Sequence, residues 1–176
     1  MLISSEYRSL NRELHERVPE YGTSGRNDRY IKATYRLVEA TRSTDILDYG
    51  CGKRTLEEAL GFPIANYDPA IPGLDGTPEP HDLVVCTDVL EHIEPECLDD
   101  VLADIRRCTK LSAFVSICLA PSLKVLADGR NAHLILESKE WWLKKLKSAG
   151  FGIVGIFETV PEVEFVAQLS PHGDRI

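Results

Sequence analysis

The stretch Asp45-Ile46-Leu47-Asp48-Tyr49-Gly50-Cys51-Gly52 decides the fold. Ile46 and Leu47 read as the end of a short buried strand, which Asp48 closes. Gly50 and Gly52 then let the backbone turn where a Cβ would be in the way. Leu56, Ala59 and Leu60 follow at helical spacing. Strand, glycine turn and helix is how an open α/β sheet brings backbone N–H groups close to a nucleotide-like ligand. This turn is not the dinucleotide fingerprint, because the third glycine of G-x-G-x-x-G falls on Thr55.

The 176 residues make one domain by length, 1–176, with N-terminal helices over 1–40 and a core over 45–169. A net charge of −8 argues against non-specific nucleic-acid binding, which rests on phosphate neutralisation by Lys and Arg. No apolar run approaches a membrane span, and Met1 to Glu6 is no signal peptide. The five cysteines form no C-x-x-C pair, so buried free thiols in a reducing cytoplasm are expected rather than a disulfide framework. No metal-ligand spacing stands out, and the expectation is a chain without a metal.

Leu10, Leu14 and Val18 recur every four residues, which predicts an amphipathic helix before Pro19. Asn27 can cap a second helix carrying Ile31, Thr34, Tyr35 and Val38 on one face. Pro63 to Tyr67 reads as a second strand ending at Asp68, which lies 16 residues after Gly52 and 20 after Asp48. Four prolines and two glycines over 69–80 predict a loop. His81 to Thr87 is a buried strand, running into Asp88-Val89-Leu90-Glu91-His92-Ile93-Glu94-Pro95. Leu98, Val101, Leu102 and Ile105 then mark a surface helix, Ala113 to Leu119 a strand, and 120–137 a polar loop. Ser138 caps a last helix with Trp142, Leu146 and Ala149 inward. Phe151 to Thr159 and Glu162 to Leu169 are strands with only Pro161 and its neighbours between, so they must pair as an antiparallel hairpin.

Asp48, two positions before Gly50, resembles motif I of the class I S-adenosylmethionine (SAM) methyltransferases. The run D-L-V-V-x-x-D-V-L-E-H-I over 82–93 closely resembles motif IV of the ubiquinone-biosynthesis type, and is the more specific match. The resemblance covers about 21–169. It implies a Rossmann-like α/β fold, mostly parallel and seven-stranded with a reduced third strand, helices on both faces and the terminal hairpin. It also implies transfer of a methyl group from SAM, leaving S-adenosylhomocysteine (SAH), to a small-molecule or nucleotide acceptor.

The cofactor residues implied are the turn Asp48, Gly50, Cys51 and Gly52, Asp68 for the ribose hydroxyls, Pro69 and Asp75 for the adenine, and Thr87 near the sulfonium. The Tyr21 loop is either a plain connector or a cover over the cofactor carboxylate. His92, His133 and Glu91 are the candidate catalytic groups, with Asp88, Arg130 and Asn131 toward the acceptor. The alternative for Glu91 and His92 is that they only bond neighbouring backbone. A catalytically silent SAM-binding subunit is the rival function. A nicotinamide-dependent oxidoreductase is disfavoured by the missing third glycine and the hairpin.

Overall fold

The protein is described here by a computed structural model covering residues 1–160 and 163–173. Pro161 and Glu162, expected between and within the terminal strands, lie outside the described residues. The elements are α1 (Ser5–Arg17), α2 (Asp28–Thr41), β1 (Ile46–Tyr49), α3 (Thr55–Leu60), β2 (Ala65–Tyr67) and β3 (His81–Thr87). They continue with α4 (Leu98–Cys108), β4 (Thr109–Cys118), α5 (Lys139–Ser148), β5 (Gly152–Val160) and β6 (Glu164–Ser170). The sheet order is β2-β1-β3-β4-β6-β5. β2, β1, β3 and β4 run parallel, and β6 inserts antiparallel between β4 and β5.

Alternation along the central strands explains the two helical layers. Val84 and Cys86 of β3, with Val115 and Ile117 of β4, pack against Leu102, Ile105, Trp142 and Leu146 of α4 and α5. Leu83, Val85 and Phe114 face the other way, onto Tyr30, Leu37, Leu56 and Leu60 of α2 and α3. Burial on both faces is why β3 reads as a continuous apolar run.

Two boundaries differ from the sequence reading. Six strands, not seven, are present among the described residues. Residues 69–80 pass from β2 to β3 without a strand, because their four prolines lack the N–H a ladder needs. β4 begins at Thr109 rather than Ala113. The α4 C-cap Thr109 already has extended geometry, and His81 pairs with it directly.

α1 belongs to neither layer. Its Tyr7 and Leu14 pack with Tyr21, Leu126 and Ala132, across the loop that follows β4. Ser4 caps α1 by accepting from Tyr7 N, and Glu94 holds that cap by accepting from Ser4 N at 2.8 Å and Ser4 Oγ at 2.6 Å. The short turn Ser24–Arg26 between α1 and α2 seats backbone against backbone: a Cβ on Gly25 would fall 2.3 Å from Leu56 N. Gly25→Ala should therefore cost about 1–3 kcal/mol, as overpacking does. Urea melts that leave the midpoint unchanged would show that this contact does not constrain the segment.

Candidate functional site

The connection order reverses around β1, with β2 on one side and β3 on the other. A crevice at the C-terminal ends of these strands is where open α/β sheets bind ligands. Such a cleft is present there, lined from the glycine turn, the end of β2, the loop after β3 and α1.

Its floor is the glycine turn. Gly50 and Cys51 donate their N–H groups to Tyr67 O at 2.7 and 3.0 Å, which ties the end of β1 to the end of β2. Gly50 (φ 83°) and Gly52 (φ 50°) are both left-handed. A Cβ on Gly50 would fall 2.4 Å from Val89 Cγ2, and one on Gly52 2.5 Å from Gly22 O. The approach of Gly22 is fixed by Lys53, whose N–H donates to Gly22 O at 2.8 Å and whose Nζ reaches Pro19 O at 2.7 Å. Asp68 stands beside the turn, accepting from Gly52 N at 3.1 Å and from Ala70 N at 2.9 Å.

Gly50, Gly52, Asp68, Pro69, Tyr21, Asp88 and His92 all line the cleft. Asp48, Cys51, Thr87, Glu91 and His133 are buried and do not line its open space. Burial, with the charges of Asp68 and then Glu57, pushes the Asp48 carboxyl up to about 7.

On the side of the loop after β3 stands a row of rings. Tyr21 Oη meets His92 Nδ1 at 3.3 Å, and the His92 and His133 rings stand edge to face at 4.6 Å. Tyr7 donates to His92 O at 2.5 Å. Burial, followed by His133, pulls His92 down to about 3, so its ring is neutral and a poor proton acceptor at neutral pH. Glu91 is fully buried. Its Oε1 accepts from Cys118 N at 2.7 Å and its Oε2 has no hydrogen-bond partner. Burial, then the nearby Asp88, raises Glu91 well above the usual carboxylate range. Asp88 is exposed and left-handed (φ 60°), with its N–H held by Ser116 Oγ at 3.1 Å. A non-glycine residue in that region costs about 1 kcal/mol or more, and such strain collects at functional sites.

Three expected contacts are corrected. Asp75 is exposed outside the cleft, paired with Arg8 at 3.4 Å, so it does not reach an adenine there. Arg130 is exposed on a tight turn, where Asp128 holds its Nε at 2.6 Å. Asn131 spends its amide on its own loop: Oδ1 accepts from Ser122 N and His133 N, and Nδ2 donates to Ser122 O. Its role is to present His133, not to touch a substrate.

The sequence reading missed α1 as a wall of the cleft. Tyr7, Asn11 and His15 all line it. Their i, i+4, i+8 spacing on the side of Leu10 and Leu14 was the available signal. Asn11 Oδ1 and His15 Nδ1 are buried without partners, and His15 Nε2 lies 3.9 Å from Asp68 Oδ2.

The architecture, with its inserted antiparallel strand and its cleft over the glycine turn, is the class I methyltransferase fold. DhpI in complex with SAH is 18% identical, with a TM-score of 0.66 over 98% of this chain and 100% of that one. The magnesium protoporphyrin IX methyltransferase of Synechocystis PCC 6803, with bound SAM, is 14% identical, with a TM-score of 0.65 over 95% and 98%. The 1,6-didemethyltoxoflavin-N1-methyltransferase of Burkholderia thailandensis, with its substrate and SAH bound, is 17% identical, with a TM-score of 0.64 over 96% and 90%. At these identities the likeness is one of fold. No protein-family model matches the chain, and no curated protein matches it. Among the described residues no helix is long and apolar enough to cross a membrane.

Asp48 gives a pH test. Its carboxyl is raised from 3.8 to about 7. Between those values the folded chain holds a proton that the unfolded chain has lost. Stability from this group is therefore present below about pH 4 and lost as pH rises to 7, by on the order of 4 kcal/mol at most. Asp48→Asn should remove that loss and gain stability over wild type at pH 8 relative to pH 5. Parallel pH profiles for the two proteins in urea melts would contradict the assignment.

Proposed function

We propose that the chain is a SAM-dependent methyltransferase acting on a small-molecule or nucleotide acceptor. The observation that carries this is the meeting of the glycine turn and the Asp68 carboxylate in one cleft at the strand switch point. The residues present suit SAM. Gly50 and Gly52 leave backbone where the methionine end would lie. Asp68 keeps lone pairs for two ribose hydroxyls, and Asn11 Oδ1 and His15 Nδ1 are polar atoms still without partners. The structures of similar fold with SAM or SAH bound support the same cofactor.

SAM supplies a methyl group already activated on a sulfonium. The chain's own work is then positioning and the exclusion of water. Asp68 and the glycine turn fix the donor. Tyr21, His92 and Asp88 shape the acceptor side, under the cover of α1. His92, neutral and engaged with Tyr21, orients rather than takes a proton. Two imidazoles at this edge favour an enzyme over a silent SAM-binding subunit, which has no need of them. Five unpaired thiols, four of them buried, suit a reducing cytoplasm.

Calorimetry with SAH tests the reading. Asp68→Ala should weaken binding by roughly 30-fold or more, the loss of about 2–4 kcal/mol in charged hydrogen bonds. Because Asp68 also braces Gly52 and Ala70, Asp68→Asn and a thermal melt control for folding. His133→Ala should leave SAH affinity within about threefold and lower turnover once an acceptor is found. Wild-type protein that binds neither SAM nor SAH at millimolar concentration would refute the proposal.

A further inference from the structure

The fold gathers three side chains that no spacing in the sequence announces as a set. One carboxylate oxygen of Asp88 and one ring nitrogen each of His92 and His133 lie within 4.8 Å of one another. Asp88 and His92 follow β3, and His133 arrives from the loop after β4, about 40 residues later along the chain. We propose that Asp88, His92 and His133 bind a first-row divalent cation on the acceptor side of the cleft. This departs from the expectation of a chain without a metal, and it is independent of whether SAM binds.

The donor set is the first ground. Two imidazoles and one carboxylate suit borderline divalent ions, and three protein ligands leave positions open to a further ligand. The second ground is how His133 is held. Its Nδ1 meets Ala120 O at 2.7 Å, and a carbonyl only accepts, so Nδ1 carries the proton and Nε2 has the bare lone pair. A metal-binding histidine is oriented in this way, with its other nitrogen fixed by a carbonyl. Asn131 holds the backbone of His133 from behind.

A third observation is an unpaired polar atom beside the set. Glu91 Oε2 is fully buried with no partner, and a carboxylate oxygen of Glu91 lies within 4.8 Å of a ring nitrogen of His133. Leaving such an atom unpaired is costly. The opening is supplied by Asp88, the exposed member, whose left-handed backbone is held by Ser116. Asp88 and His92 both line the cleft, which gives the set access to it. Glu91, Cys118 and His133 form a second possible set, but no member of it lines the cleft, whereas Asp88 and His92 do.

The test uses the whole chain, stripped with EDTA under reducing conditions and titrated with Co²⁺, followed by visible absorption and calorimetry. The expected result is one saturable equivalent with d–d bands and no thiolate charge-transfer band. Asp88→Asn and His133→Ala should each weaken Co²⁺ at least tenfold, and Cys118→Ser should leave it unchanged. Asparagine tolerates the left-handed backbone at position 88, so Asp88→Asn remains informative even where a histidine variant fails to fold. SAH affinity measured on the same samples separates this inference from the cofactor reading. Folded wild-type protein that binds no Co²⁺ saturably would overturn the site. So would binding indifferent to Asp88→Asn, or a thiolate band abolished by Cys118→Ser.

Discussion

The cleft depends on two positions that carry no side chain. At Gly50 and Gly52 the backbone is left-handed and in contact, on one side with Val89 and on the other with Gly22. Any Cβ there would push apart the loop after β3 and the segment after α1. Because the turn closes tightly, its N–H groups reach Tyr67 O, and the end of β2 is held where Asp68 can accept from Gly52. A local backbone requirement thus fixes the relative placement of β1, β2, the motif after β3 and the N-terminal cover.

Burial sets the chemistry of what surrounds that turn. Asp48, Glu91 and His92 lie in surroundings dry enough to disfavour their charged forms. Of these three only His92 lines the cleft, so burial sets the charge of its walls more than of its open space. Asp68, Asp88 and Glu94 are the acidic groups that line the cleft, the first beside the glycine turn and the second beside the ring row.

The sheet was legible because its signals are local. The apolar run Leu83 to Cys86, the alternation around Phe114 and the missing helix between β5 and β6 each state their own structure. Two boundaries were not. The seventh strand was implied by the resemblance while the prolines over 69–80 read as a loop, and the start of β4 at Thr109 is set by pairing with His81, a partner distant in sequence. The glycine turn and Asp68 were readable from a spacing that βαβ geometry imposes. The loop residues were not, because residue type does not reveal direction. Asn131 turned its amide inward onto Ser122 and His133, and Arg130 and Asp75 found partners at the surface. The cover contributed by Tyr7, Asn11 and His15 required knowing that α1 crosses the loop after β4. No helical period states that.

The most direct measurement is a crystal structure of the chain grown with S-adenosylhomocysteine. The account predicts the ribose hydroxyls within hydrogen-bond reach of Asp68 and the methionine end over Gly50 and Gly52. Ligand seated instead in the apolar groove between α2 and β6, lined by Tyr30, Phe114 and Val166, would contradict it. So would a cleft left without ligand at saturating concentration.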